Sequence, residues 1–534
     1  LSRRNQERGV RKMKRGGMAS SLLLLGTLVA AGTPKSLRAQ DPAPLVRAAY
    51  TGRPMRVELS TSLSRSFFVL LASARPGPTP TPFGNLQVGL PFFPLAWGRT
   101  DASGKAVLEV AVPADRALAG GRIFLAALFA DTSASPPRVR LSGGRRITLS
   151  GPLVVASCGS SPPMAGPALV FVDLLSTKIL GEIVLPRNPT RVWVDRFGIR
   201  GFAAAGRNLY VLDIPSRKIT FTIRTAVKTD FTVLEGGPAG KWCFALAPGT
   251  PFLPKPSPGE VVALDTEKLL LKGPIALSSQ ALDLAAAPYP GRAWAVTRKD
   301  RMVHLIDGPS AKILKSVQVG RKGETQAFAG ARAGSFFVVT TGDSGGTRPP
   351  ALGSATAVDP LGKAGSPLAL PPYPSLLAPY RVGTNWFLLA ACTWEGKGVS
   401  PSLHVLGLSP LKDLGTFPGK WARGATGLAV SPVLPAGAVL WSGNPGYPHS
   451  GFLRNGTLVL VDPSARRIRS VLTLPRLYQQ ALYAVTNPTM PVFLFCEKAS
   501  LWSGGKLRVL DIPTGKILAS KADLGRPVLS MSDV

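Results

Sequence analysis

At 534 residues, with 45% hydrophobic and only 17% charged side chains, the chain is long enough for more than one packed domain and too apolar to be disordered. Its formal charge of +34, from 63 Lys and Arg against 29 Asp and Glu, favours anionic surfaces, but no dense basic run interleaved with aromatics marks a nucleic-acid binder. Gly (57) and Pro (51) are dispersed between apolar runs, which is the punctuation of a turn-rich all-β protein.

Residues 1–40 read as a signal peptide. "RRNQERGVRKMKRGG" is basic, "MASSLLLLGTLVAAG" is a short apolar run, and Ala39 in "LRAQDPAP" offers a small residue before a cleavage point. This segment holds nine Lys and Arg and one Glu, so 34 − 8 = +26 stays on the remainder. No later stretch is long and apolar enough to span a bilayer. The expectation is an exported protein of the periplasm, cell surface or extracellular space, with no transmembrane segment once the signal is removed.

Residues 41–150 alternate short strands and turns: "PMRVELSTS", "SFFVLLAS", "KAVLEVAVP", "GRIFLAALFAD" and "RRITLSG". In "KAVLEVAVP" apolar residues alternate as on a strand with one buried face. "TDASGKA" is a turn, with Asp101 bonding the backbone ahead of it and Gly104 free to take positive φ. Five or more strands in this length predict an Ig-like β-sandwich.

From residue 151 to 534 one unit recurs: an apolar strand ending in Asp, a short turn, and a strand opened by Lys or Arg. Its copies include "ALVFVDLLSTKILGEIVLP", "LYVLDIPSRKITFTI", "MVHLIDGPSAKILKSVQV" and "LRVLDIPTGKILAS". The marker aspartates are Asp173, Asp213, Asp265, Asp307, Asp359, Asp462 and Asp511, each read as the former of a hairpin turn. The 103-residue gap from Asp359 to Asp462 contains a degenerate copy, "SLHVLGLSPLKDLGTF", with Gly407 at the Asp position. Such a period predicts a β-propeller with eight blades, or seven if the Gly407 unit forms no blade. An apolar strand such as "KWCFALA" or "RAWAVT" precedes each marked hairpin and is expected nearer the axis. The terminal "RPVLSMSDV" would join the first unit as a velcro closure.

These units resemble the YVTN-type repeats of bacterial and archaeal surface propellers, "LYVLDIPSRKITFTI" most closely. The stretch "GLPFFPLAWGRTDASGKAVLEVAVPADRALAGGRIFLAALFAD" resembles a module of exported planctomycete-type proteins. The first likeness implies a fold and the second a location; neither implies an activity.

Chemistry is sparse. Cys158, Cys243, Cys392 and Cys496 are far apart, form no CxxC pair, and three of them sit in apolar strands, so buried free thiols are expected. "LDIPTGKILAS" has the Asp and TGK of the quinoprotein docking repeat "AxDxxTGKxxW" but lacks its Trp, as do the other copies. A lactonase-type site would need carboxylates and His about the channel. Only His304, His404 and His449 exist, and His304 and His404 stand in strands as structural residues. No catalytic set, metal or cofactor is expected. The long loops before the marked strands, among them "TWEGKGVSPS", "SGNPGYPHSGFLRNG" and "EKASLWSGG", fall on one face of the ring. They carry or flank Trp394, Glu395, Trp441, Tyr447, His449, Glu497 and Trp502, the candidate ligand-binding residues. The reading is a non-enzymatic binding scaffold that recognises protein or an anionic or carbohydrate envelope polymer. The alternative is a hydrolase or lactonase with its site at the central channel.

Overall fold

The computed structural model describes residues 40–534 except 135–136, 161–165, 238–239, 251–255, 344–351, 393–400, 418–424, 433, 435, 442–455, 475–481, 486–490, 499–504, 525, 527 and 534. The expected signal peptide therefore lies outside the described residues apart from Gln40. No described helix is long and apolar enough to cross a membrane.

The chain divides into two compact units. One comprises residues 1–49, 54–111 and 119–150; the other comprises 50–53, 112–118 and 151–534. In the first, Phe93–Arg99, Phe67–Ser73, Arg122–Asp131 and Arg138–Leu141 form an antiparallel sheet, and Arg145–Thr148 also pairs with the long third strand. Pro54–Ser60 pairs with Lys105–Ala111, whose side chains alternate between exposed and half-buried along most of its length, as its sequence alternates. Asp101 turns the chain into that strand by accepting hydrogen bonds from the backbone N–H of Ser103 (2.8 Å) and Lys105 (2.9 Å). Gly104 has φ 74°, and a Cβ there would meet the Thr61 carbonyl, so only glycine fits. Val69, Leu71, Leu86, Ala126, Leu128 and Val139 are part of the core of this unit.

The second unit is an all-β ring of eight four-stranded antiparallel sheets, an eight-bladed propeller. Blade 4 is typical, running outward as Ala281–Ala286, Arg292–Thr297, Met302–Asp307 and Lys312–Gln318. From blade 1 round to blade 8 the innermost strand of each blade touches that of the next. The Gly407 copy forms a full sheet as blade 6 (Pro374–Val382, Asn385–Cys392, Ser402–Leu408, Leu411–Thr416), which fixes the count at eight. Blade 1 is closed by both ends of the unit: Val528–Asp533 is its innermost strand and pairs with Leu153–Cys158.

Burial follows radial position. The second strand of blade 3, Trp242–Ala247, is buried along its whole length, whereas the outer strand Lys312–Gln318 is half-buried or exposed throughout. Second and third strands are clamped between neighbouring blades, which is why they read as unbroken apolar runs. Blades 4 and 5, for example, meet through Trp294 and Phe337, stacked at 5.6 Å. Blades 8 and 1 meet through Val154, Val170, Leu494 and Val509.

The marked hairpins share one construction. Asp213 accepts from Ser216 N–H, Asp265 from Glu267 and Lys268 N–H, Asp307 from Ser310 N–H and Oγ–H, and Asp511 from Thr514 N–H and Oγ1–H. Asp173, Asp359 and Asp462 accept in the same way from Leu175, Leu361 and Ser464. Three or four residues beyond each aspartate the turn takes a left-handed residue: Thr177, Arg217, Leu269, Ala311, Gly362, Arg466 and Gly515. Five of these seven are not glycine, so the aspartate and the pairing on either side hold the conformation.

Candidate functional site

The innermost strands set what the channel offers. On blades 2 to 5 they are "PTRVWV" (Pro189–Val194), "VLEG" (Val233–Gly236), "ALDLAA" (Ala281–Ala286) and "QAFAGARA" (Gln326–Ala333), and each carries one charge: Arg191, Glu235, Asp283 and Arg332. Pairing to the second strands gives their heights. Arg191 lies opposite Ala204 and Asp283 opposite Val296, equivalent positions that share one tier. Glu235, opposite Phe244, is two residues nearer the hairpin face, and Arg332, opposite Phe337, is one further. Three residues of strand span about 10 Å, so the four groups occupy one stretch of the wall. On the other side the inner strands "PSLLAPYRV", "ATGLAV" and "LYA" carry no charge apart from Arg381 near the end of the first, and the blade 1 inner strand "VLSMSD" carries one, Asp533, at its end.

Burial governs the two acids. It pushes the Glu235 carboxyl up to about 7, against the pull of Arg191 and with a further push from Asp283; Arg332 also opposes it. Asp283 rises to about 6 for the same reason, although its carboxylate accepts the Leu284 N–H at 2.8 Å and feels Arg191. Burial lowers Arg332, and Glu235 opposes that shift. Arg332 is anchored by Nε to the Gly334 carbonyl (3.0 Å) and by Nη1 to the Ala286 carbonyl (3.2 Å). Beside Glu235, Gly236 lies against the Trp193 indole of blade 2 so closely that any Cβ would collide with the ring. The cluster passes from a net charge of +2 with both acids protonated to zero with both ionised. It can therefore exchange protons near neutrality.

Two histidines form a second kind of site. His304 and His404 each stand three residues before the marked position, Asp307 in blade 4 and Gly407 in blade 6. His304 bonds Ser278 through Nε2 (2.9 Å) and Ser316 through Nδ1 (2.8 Å), and burial lowers its pKa. His404 bonds the Ser402 hydroxyl through Nε2 (2.9 Å) and the Asp413 carboxylate through Nδ1 (2.7 Å). Both are embedded in their sheets by these bonds.

Of the candidate loop residues, Trp441 and Glu497 lie in the second strands of blades 7 and 8, with side chains outside the described residues. Trp394, Glu395, Tyr447, His449 and Trp502 fall outside the described residues altogether. All four cysteines are buried and none is in a disulfide. Burial pushes Cys158 and Cys392 up to about 12 and Cys243 well above its ordinary value, so these are inert thiols. Among the described residues no three His, Cys, Asp or Glu side chains gather as a metal site. On the hairpin face, a cleft of about 350 Å³ between blades 5 and 6 is lined by Phe336, Trp386, Phe387, Pro410 and Lys412 among others.

The channel charges were not singled out from sequence. Each is a single charged residue in a short inner strand, and only the ring brings the four together. Ser402 and Asp413 were missed because the histidine that joins them lies two residues from one and nine from the other.

No protein-family model matches the sequence, and no curated protein matches it. Among solved structures, the dihydro-heme d1 dehydrogenase NirN in complex with DHE is similar, with a TM-score of 0.53 at 12% identity over 71% of this chain and 74% of that one. Apo AztD from Citrobacter koseri gives 0.48 at 13% identity over 72% and 98% of the two chains. The WD40 repeats of RRP9 give 0.40 at 11% identity over 59% and 88%. The first of these likenesses bears on the fold alone.

Proposed function

We propose that the protein is an exported, YVTN-like binding scaffold whose ring meets a protein or an envelope polymer at the face of its long loops. One observation carries this reading. The stretches 248–259, 343–352, 393–401, 442–455 and 499–504 each fall between a second strand and a third, and by strand alternation the strand ends that bound them share one side of the ring. The opposite face has the short aspartate-pinned hairpins, whose polar groups are consumed within their own turns. The connections of ten residues or more, 248–259, 343–352 and 442–455, all belong to this face, as in scaffolds that recognise partners through loops. The +26 outside the leader adds a field that attracts anionic polymers.

Trp441→Ala with Trp502→Ala should weaken retention on immobilised acidic envelope polysaccharide, or capture of a surface-protein partner, at least about tenfold with the melting temperature unchanged. Retention identical to wild type would overturn the loop-face reading. A second reading, a hydrolase working in the channel, draws on Glu235, whose pKa of about 7 suits a general base. It requires that turnover of an ester or lactone panel be lost in Glu235→Gln.

A further inference from the structure

We infer that Ser402, His404 and Asp413 form an acyl-transfer relay on blade 6, with Ser402 as the nucleophile toward carboxylic esters. This activity goes beyond the binding role and does not depend on it. The Ser402 hydroxyl lies 2.9 Å from His404 Nε2, and His404 Nδ1 lies 2.7 Å from Asp413 Oδ2. These are the contacts by which a serine is activated: a base within hydrogen-bond reach, and a third group that orients the base. An ionised carboxylate only accepts, so the proton of the neutral imidazole resides on Nδ1, leaving the Nε2 lone pair for the serine O–H. Asp413 is itself held in place, with Oδ1 accepting the Gly415 N–H at 2.9 Å.

The fold explains the arrangement. Ser402 and His404 alternate along the third strand, so both point to one face of the sheet, and the paired outer strand delivers Asp413. His404 is buried, whereas Ser402, the first residue of its strand and at its loop-face end, is only half-buried. The neighbouring thiol of Cys392 is buried and stays protonated, so it does not compete as a nucleophile. Blade 4 provides an internal contrast. His304 occupies the equivalent position, but its Nδ1 partner is Ser316, so the orienting charge is missing.

The step balances without a co-reactant other than water. Ser402 Oγ adds to the ester carbonyl carbon while its proton passes to His404 Nε2. The alcohol leaves with that proton, giving acyl-Ser402. Water, deprotonated by the same nitrogen, then releases the carboxylic acid and returns the proton to Ser402.

The test is labelling of the full chain with a fluorophosphonate probe at pH 8, with the modified peptide located by mass spectrometry, alongside hydrolysis of p-nitrophenyl acetate. Wild type should be labelled at Ser402, and Ser402→Ala should lose both label and hydrolysis. Asp413→Asn, a change at the sheet surface, should slow both at least about 100-fold with an unchanged melting temperature. Ser278→Ala, which removes the hydroxyl bonded to His304 Nε2, should change neither. No label at Ser402 in the folded wild type, or equal rates in Asp413→Asn, would overturn the relay. Loss of polymer retention in the loop variants with labelling intact would separate this centre from the binding role.

Discussion

Glu235 carries an energetic signature that a binding or structural account must both accommodate. Its carboxyl sits at about 7 in the folded ring and near 4.5 in the unfolded chain. Between those values the folded state holds a proton that the unfolded state has released, so stability falls as pH rises through this window and levels off above 7. Asp283 adds the same sign between 3.8 and about 6. The Glu235 contribution is at most about 3.5 kcal/mol, since each pKa unit is worth about 1.4 kcal/mol. Glu235→Gln removes the ionisation while keeping the shape. Urea unfolding at pH 5 and pH 8 should then show the variant more stable than wild type at pH 8, with nearly equal stabilities at pH 5. An identical pH slope in both proteins would mean that the Glu235 carboxyl titrates as a solvated group. None of this was visible in "TVLEGG", where one acid in a four-residue strand looks like any loop charge. Its significance arises from what three other blades place beside it.

Hairpins and inner strands were unequally legible. The pair "LDIPTGKI" could be read directly, because second and third strands are pressed between blades and the turn needs a carboxylate at a fixed place. The inner strands were not, because one side of the innermost strand faces the channel and tolerates Arg191, Gly236, Asp283 or Pro374 alike. The turn itself also held more than its composition indicated. Ala311 adopts φ 53°, a left-handed conformation that costs an L-residue about 1 kcal/mol or more. Ala311→Gly removes this cost and gives back part of the gain through the greater freedom of glycine in the unfolded chain. The expected net effect is about 0.5 kcal/mol of added stability, read as an increase in the urea midpoint at constant m-value. A lower midpoint would mean that the Ala311 methyl contributes more by packing near the blade 4 core than its backbone strain costs.

At the scale of the whole ring, stability rests on one joint. Val528–Asp533 must return across the entire unit to pair with Leu153–Cys158; without it, that strand presents an unpaired edge along the channel. Arg526 fastens the approach. It is buried, donates from Nε to the Gly166 carbonyl (2.6 Å) and from Nη1 to Glu182 Oε2 (2.6 Å), and its own carbonyl accepts the Gly505 N–H of blade 8. One side chain thus ties the first blade to the chain leaving the last. Arg526→Ala strands the Gly166 carbonyl and removes charge-assisted bonds, a loss of about 2 kcal/mol at pH 7. The Arg526 hydrogen bond holds Glu182 below the usual carboxylate range, so the contribution of this ion pair is present above about pH 4.5 and lost as pH falls through the lowered folded value. Glu182 is half in solvent, which screens that portion and leaves the Gly166 bond as the part that persists in acid. Denaturation of wild type and Arg526→Ala should therefore differ most near neutrality and less at pH 3, with the variant showing earlier hydrogen exchange in Leu153–Cys158 than in the strands of blades 3 and 4. Uniform exchange across all blades would place the weak point of the ring somewhere other than its closure.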